Sequence, residues 1–245
     1  MKWLEKLSYR WLFRIVIFWV LLGAVLYTLQ SDIFSIKHIV MEGRGDQRVY
    51  KMLEPDLIEK ARPLMSKNLW KAPMNEVAQE LLQIPGVKSV VVERKIPNTI
   101  LVQVVPQKIA FNAWINSEKI LPVTEQAQVL PKITAKLAPD APIVRDRRLM
   151  RSQKLREKTV ELINQLPEEG SFSHRTLNEI EYSKGNFWLS VVNSDVRIKI
   201  HPENAEVKSL RVGRVLEYIE KNKLNARVID ADYSKKVVVK LRKGR

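Results

Sequence analysis

The side chains best suited to chemistry in this chain are three histidines, His38, His174 and His201, and they are far apart in the sequence. A metal site or a catalytic triad needs several such groups together, and a lone histidine is more commonly a surface residue. Serine stands close to His174 in "SFSH", but this stretch lacks the Gly-x-Ser-x-Gly pattern of a nucleophile elbow. Cysteine is absent, which excludes a disulfide and a thiol nucleophile. We therefore predict no enzymatic activity, no catalytic residue, no metal and no cofactor.

The chain is strongly basic, with a formal net charge of +15 from 42 Lys and Arg against 27 Asp and Glu. This excess suits nucleic acid, an anionic membrane surface or acidic protein partners, and does not by itself distinguish them. The length of 245 residues allows one large domain or two small ones. Since 45% of the residues are hydrophobic, each half has enough apolar material for a core.

Residues 11–30 are predicted to form a transmembrane helix. The stretch "WLFRIVIFWVLLGAVLYTL" is apolar apart from Arg14 and is long enough to cross a hydrocarbon core of about 30 Å. Basic residues precede it, whereas Asp32 is the charge that follows it, so the positive-inside rule predicts that residues 1–10 form a cytoplasmic tail. A cleaved signal peptide is the alternative, but the lack of a small-x-small cleavage site favours a retained anchor.

The segment 31–106 is predicted to be a small α+β domain with the order β-α-α-β-β. A strand should end at Gly43, and a short helix should begin with Pro55 at its first position and stop at Pro63. The stretch "PMNEVAQELLQIPG" carries apolar residues at helical spacing between two proline signals. "VVVERKIPNTILVQVV" then indicates two strands joined by a turn at Pro97 and Asn98.

The segment 107–245 is predicted to be a mostly antiparallel β domain with helices. The proline-broken stretches "PVTEQAQVLPKI" and "LAPDAPIVRD" indicate short strands and loops in a connection between two folded regions. A helix should follow Ser152, its predicted N-cap, and strands with alternating apolar residues should follow that helix. A further helix precedes two last strands, "ARVIDA" and "KKVVVKL".

The string "IPGVKSVVVERKIPNTI" resembles the POTRA domain of the bacterial division family FtsQ, called DivIB in Gram-positive bacteria. The stretch "RVIDADYSKKVVVKL" is similar to the closing motif of that family's β domain, in which Asp230 and Tyr233 keep their places. Asp232 stands where the family usually has Arg, and Lys236 stands where it usually has Gly. The resemblance implies one N-terminal transmembrane helix, a POTRA domain and a β domain.

The resemblance also implies a non-enzymatic division scaffold at the septum, held in the inner membrane as a type II single-pass protein with periplasmic or extracytoplasmic domains. It implies that the final strand binds FtsB-like and FtsL-like bitopic partners by strand addition, and that other divisome components, including septal peptidoglycan synthase, are recruited. The residues expected to bind the partner are Tyr233, Lys235, Lys236, Val237, Val238, Val239, Lys240 and Leu241.

The residues themselves leave alternatives open. A terminal strand is expected to be a sheet edge, which either recruits another strand or is guarded by its lysines against pairing. A basic module that binds anionic envelope polymer and a POTRA chaperone for secreted polypeptide are two other functions compatible with the sequence. An extracytoplasmic position argues against nucleic acid as the partner.

Overall fold

The computed structural model describes residues 9–29, 31–116, 119–233 and 235–242, with the backbone alone at positions 9, 10, 25, 26, 28, 29, 147 and 150. The chain divides into two compact units, Met1–Pro106 and Gln107–Arg245. Each unit has its own sheet.

The first helix, α1, covers Tyr9–Leu29. Its large apolar side chains are exposed along most of its described length, including Trp11, Phe18 and Trp19. Within the described part of the chain, no helix combines the length and the apolar character that a membrane crossing requires. Some positions of the predicted transmembrane helix, residues 11–30, have side chains outside the described part of the chain. Residues 1–8 of the predicted cytoplasmic tail also lie outside it.

The first unit has the predicted order β-α-α-β-β after α1. Its elements are β1 His38–Gly43, α2 Gln47–Ala61, α3 Met74–Leu82, β2 Val87–Lys95 and β3 Thr99–Pro106. The strand order in the sheet is β1-β3-β2, with β1 parallel to β3 and β2 antiparallel to it. Every second residue of β3 is fully buried, namely Ile100, Val102 and Val104, because this central strand turns one face toward the helices.

The helix α2 begins earlier than the sequence predicted. Pro55 lies inside this helix, not at its first position, and the helix starts at Gln47. The carboxylate of Asp46 caps it by accepting hydrogen bonds from the backbone N–H groups of Arg48, at 2.8 Å, and Val49, at 3.3 Å. The prediction was wrong because Pro55 was interpreted as a start signal, whereas Val49, Tyr50 and Leu53 already supply a buried helical face before it.

The described residues of the second unit form one nine-stranded sheet, two α-helices and two short 3₁₀ helices, Ala135–Leu137 and Arg147–Met150. Its strands are β4 Ile109–Trp114, β5 Lys119–Thr124, β6 Ile133–Thr134, β7 Ile143–Val144, β8 Leu177–Ser183, β9 Asn186–Val191, β10 Arg197–Ile200, β11 Ala226–Asp230 and β12 Val238–Leu241; its helices are α4 Gln153–Asn164 and α5 Ala205–Lys221. The sheet order is β12-β11-β10-β9-β8-β7-β4-β5-β6. Antiparallel pairs outnumber parallel ones, so the predicted α+β class with a mostly antiparallel sheet is confirmed.

The proline-rich stretch predicted to connect two folded regions is part of this sheet. It supplies β5, β6 and β7, and Pro122 lies within β5. Pro122 faces no residue of β6, which pairs with Lys119 and Ile120, and its carbonyl accepts a hydrogen bond from the Leu130 N–H at 2.9 Å. Short strands were predicted here, but their place in the sheet was not, because two of them are only two residues long.

The core of the second unit joins both helices to the sheet. Leu162 and Ile163 of α4, Val212 of α5 and Phe187 of β9 all belong to one buried cluster. The predicted cap of α4 is confirmed, since the Ser152 hydroxyl accepts a hydrogen bond from the Leu155 N–H at 3.2 Å. This cluster fixes the position of β9 and β10, and through them that of the last two strands.

Candidate partner-binding edge

The strand β12 is the last strand of the nine-stranded sheet. It pairs with β11 in an antiparallel register in which Val238 faces Asp230, Val239 faces Ile229 and Lys240 faces Val228. No other strand of the described residues lies on its far side. The prediction that the terminal strand is a sheet edge is therefore confirmed.

The side chains of the predicted site differ in exposure. Val237, Val238 and Val239 are half-buried, whereas Tyr233, Lys235, Lys236, Lys240 and Leu241 are exposed. Val237 and Val239 pack against the core cluster, as the alternation predicts. The edge thus combines a strand whose valines pack against the core with lysines that remain in solvent.

Leu241 departs from this alternation. Strict alternation along the strand would turn Leu241 inward with Val239, but Leu241 is exposed. The register shifts between Ala226 and Val228, so that Arg227 is an extra residue on β11 opposite the end of β12. Such a bulge disturbs the pairing locally and changes the direction of the side chains beside it.

The connection from β11 to β12 begins with an ionic cluster. Lys199 of β10 donates a hydrogen bond to Oδ2 of Asp232 at 3.0 Å and lies 3.8 Å from Oδ2 of Asp230. The backbone N–H of Asp232 in turn donates to Oδ1 of Asp230 at 3.1 Å, a local side-chain contact typical of aspartate in turns. The hydrogen bond to Asp232, with the charges of both carboxylates, raises the pKa of Lys199 above its ordinary value of 10.5.

This cluster explains the role of Asp232. Asp232 stands where the family that this chain resembles usually has Arg, and it forms an ion pair with Lys199 of β10. The sequence alone does not identify Lys199, because its position opposite Asp230 depends on the parallel register of β10 and β11. Charge alternation in "DVRIKI" was a signal for an outward-facing lysine, but it could not identify the carboxylate that this lysine meets.

Tyr233 and Lys236 contact each other in the same connection. The ammonium of Lys236 lies 5.4 Å from the centre of the Tyr233 ring, within the range of a cation–π interaction. The tyrosine remains exposed on the surface. An aromatic ring in this position offers apolar area at the start of the edge, which suits a contact with a partner chain.

The far end of β12 is tied to two loops. The backbone N–H of Arg242 donates to the Asn225 carbonyl at 2.8 Å, and the Arg242 guanidinium lies 3.6 Å from the Asp195 carboxylate. Residues 243–245 lie outside the described part of the chain. Contacts at both ends therefore hold the strand in register while its outer edge stays open.

The residues considered for chemistry are not assembled into a site. His174 and His201 occupy different loops of the second unit, and His38 lies on a strand of the first. Burial lowers the pKa of His174 below its ordinary value of 6.5, against the charges of Glu168 and Glu125, which raise it. In the described residues, no three His, Asp or Glu side chains converge where they could hold a metal ion.

One comparison with known proteins identifies the first unit. Residues 34–106 match the family model of the FtsQ-type POTRA domain, and this range covers all five elements from β1 to β3. No curated protein sequence matches the chain significantly. The match confirms the resemblance of these residues and supports the assignment of the chain to the FtsQ/DivIB family.

Proposed function

We propose that this chain, which carries an FtsQ-type POTRA domain, is a division-site scaffold whose final strand binds a partner by strand addition. The FtsQ-type domain points to cell division and to protein–protein interaction, in a family that is not catalytic. The finer assignment makes the protein a link between FtsB-like and FtsL-like bitopic proteins and later divisome components, including septal peptidoglycan synthase.

The open outer edge of β12 is the observation that carries this proposal. An edge strand presents unpaired backbone N–H and C=O groups, which an incoming extended segment satisfies as an additional strand. Lys235, Lys236 and Lys240 lie along or beside this edge, and they attract acidic side chains of the incoming chain. Such charges favour rapid and specific encounter more than raw affinity.

A membrane anchor at residues 11–30 is part of the proposal. It is supported by a nearly continuous apolar sequence, and by a helix α1 whose described large apolar side chains are exposed and not packed into a core. Basic residues 2, 6 and 10 favour a cytoplasmic N-terminus under the positive-inside rule. Both folded units then lie on the extracytoplasmic side of the inner membrane, at the division septum.

Paired proline substitutions test the edge directly. Along an edge strand, neighbouring residues direct their N–H groups alternately toward the sheet and toward solvent, so Val238→Pro and Val239→Pro remove donors on opposite sides of β12. The Arg242 N–H donates to the Asn225 carbonyl, so by alternation the N–H of Val238 faces β11 and that of Val239 faces the outer edge. We expect Val239→Pro to lose binding of the FtsB-like/FtsL-like complex while its thermal unfolding is unchanged. Val238→Pro should unfold at a lower temperature.

The assay captures the partner complex on the full-length protein in detergent at low and moderate salt. Leu137→Pro, at an exposed position away from this edge, is the matched control and should bind normally. If both edge variants bind the complex as the unmodified protein does, β12 is not the interface.

A second candidate function is binding of anionic envelope polymer, which the net charge of +15 favours. Such binding depends on screened charges and should fall steeply with salt, whereas a backbone-paired strand should tolerate it. A third candidate is a chaperone for secreted polypeptide. In that case the first unit should still bind unfolded chains when β12 is altered, whereas a scaffold that uses β12 should lose its partner.

A further inference from the structure

A groove runs between the edge strand β1 and the helix α2 in the first unit. Its volume is about 790 Å³, and its apolar lining comes from Ile39, Val40, Met41, Pro55, Ile58 and Met65. Ile58 is 52% exposed and Met65 is 41% exposed, so the wall of the groove faces solvent. Exposed apolar side chains beside an open strand edge are the features that an added strand uses.

The backbone of β1 has hydrogen-bonding groups that point into this groove. The N–H of His38 donates to the Asn98 carbonyl at 3.3 Å, and that of Arg44 donates to the Val104 carbonyl at 2.8 Å. In a parallel pair, alternate residues direct both backbone groups to the same neighbour. Ile39 and Met41 therefore direct theirs away from β3, toward the open side of the sheet.

The opposite edge of the same sheet is protected, and β1 is not. On β2, Lys95 pairs with Glu93 at 3.0 Å, and a register shift follows Val87. Charged side chains and bulges are the usual means by which an edge resists pairing. The strand β1 reads "HIVMEG", without lysine or proline. Of the two edges, β1 is thus the one open to an added strand.

Positive charge lies at the N-terminal end of this groove. Lys37 and Arg62 both line it, and neither forms an ion pair within the described part of the chain. The segment that follows α2 is held beside the residues that precede β1 by the Ser66 N–H, which donates to the Ile36 carbonyl at 3.0 Å. Glu59 also lines the groove, one turn before Arg62. An acidic residue of a bound segment would therefore be near two positive charges, Lys37 and Arg62, and one negative charge, Glu59.

We propose that this groove binds an extended segment of another polypeptide, added antiparallel to β1, with alternate apolar residues and a carboxylate at its C-terminal end. Apolar side chains on one face of the segment pack against Ile58 and Met65, and its backbone pairs with Ile39 and Met41. Antiparallel addition brings the C-terminal end of the segment to Lys37 and Arg62. This site is separate from β12 and goes beyond the scaffold function proposed above.

A pair of synthetic peptides tests the proposal on the full-length protein in detergent. The first probe is fluorescein-labelled Thr-Val-Thr-Val-Thr-Val-Asp-Asp, and the second replaces both aspartates with lysines. We expect the acidic probe to bind saturably and about tenfold more tightly than the basic one, since each charge contact at a rim contributes modestly. Equal binding of the two peptides, or no saturable binding of either, would overturn the proposal.

Variants separate the groove from other surfaces. Lys37→Glu combined with Arg62→Glu should reverse the preference between the two probes, and Ile58→Asp should abolish binding of the acidic one. The matched control is Val91→Asp on β2, whose side chain is 50% exposed and which should bind as before. Val238→Pro and Val239→Pro should also leave probe binding unchanged, so a failure of the β12 interface is distinguishable from a failure here. Loss of binding in Val91→Asp, or retention in Ile58→Asp, would place the site elsewhere.

Discussion

The ammonium of Lys199 on β10 lies 3.0 Å from the carboxylate of Asp232, which is two residues beyond the end of β11. This contact spans the parallel pair of strands and fixes the start of the connection that delivers β12 to the sheet edge. Both side chains are partly shielded from solvent, with 21% of the Lys199 side chain and 32% of the Asp232 side chain exposed. The pair therefore has more structural effect than an ion pair in free solvent.

Replacing Lys199 with Met should lower the free energy of unfolding by about 1 kcal/mol, because the variant leaves Asp230 and Asp232 without their shared cation. It should also weaken partner binding, since the connection to β12 loses its anchor. Thermal unfolding and capture of the bitopic complex measure the two effects. Arg175→Met is the control, because its ion pair with Glu169 is more than 70% exposed on both sides and should contribute almost nothing. Equal effects of the two substitutions would contradict the anchoring role.

Replacing Gly43 with Ala should destabilise the first unit by about 2 kcal/mol or more. A Cβ at this position would overlap the buried ring of Tyr50, with the ring carbon Cγ well inside van der Waals contact. Denaturant unfolding checks the loss. Gly213→Ala is the matched control, because the nearest atom to its Cβ is 3.9 Å away, and alanine within α5 should stabilise by up to about 1 kcal/mol. In a Tyr50→Ala background the cost of Gly43→Ala should shrink, and an unchanged cost would exclude the contact as its cause.

Replacing Arg94 with Lys should destabilise the first unit by about 1–2 kcal/mol, because a lysine cannot reproduce both contacts of the guanidinium. Arg94 Nε donates to the Leu69 carbonyl at 2.8 Å and a terminal nitrogen donates to the Ala72 carbonyl at 3.0 Å. These bonds attach the segment before α3 to the sheet. Chemical denaturation is the measurement, with Lys88→Arg on the same strand as the control. A loss no larger than that of the control would show that the two hydrogen bonds contribute nothing to stability.

Acid should destabilise the second unit through His174. Burial lowers the pKa of this side chain in the folded protein below its ordinary 6.5, so the unfolded chain binds the proton more readily. The contribution of His174 to stability is therefore complete above about pH 6.5 and is lost as the pH falls through the folded pKa. His174→Gln should flatten the decline of the melting temperature toward about pH 5, whereas His38→Gln on the first unit should not change it for the second. An unaltered decline in His174→Gln would assign the acid sensitivity to other groups.

The elements that the sequence predicts correctly are those that depend on interactions between residues close together in the chain. Local signals were sufficient for the helix α3, for the Ser152 cap and for the hairpin of β2 and β3, since each depends on residues near one another in the chain. The early start of α2 was missed because Pro55 is a start signal in general but is accommodated here within a helix already capped by Asp46.

Long-range pairing limited the prediction of the candidate site. Tyr233, Lys236 and the residues of β12 were found from the alternation of the last strand and from the resemblance to a family. Lys199 and Asp195 were not found, because they contact this segment only through the parallel pairing of β10 with β11 and through the loop that precedes β10. Two-residue strands such as β7 carry too little alternation to be recognised before the sheet is assembled.

The position of β12 also determines how the protein responds to mechanical force. The strand is attached to the rest of the sheet along one side, by an antiparallel ladder that runs from Val238 to Leu241. Tension along the strand axis loads all of these hydrogen bonds at once in shear, because they lie perpendicular to that axis. Tension across the strand breaks them one after another, as in peeling. The direction of pull from a bound partner, more than its magnitude, therefore decides whether this edge holds or detaches.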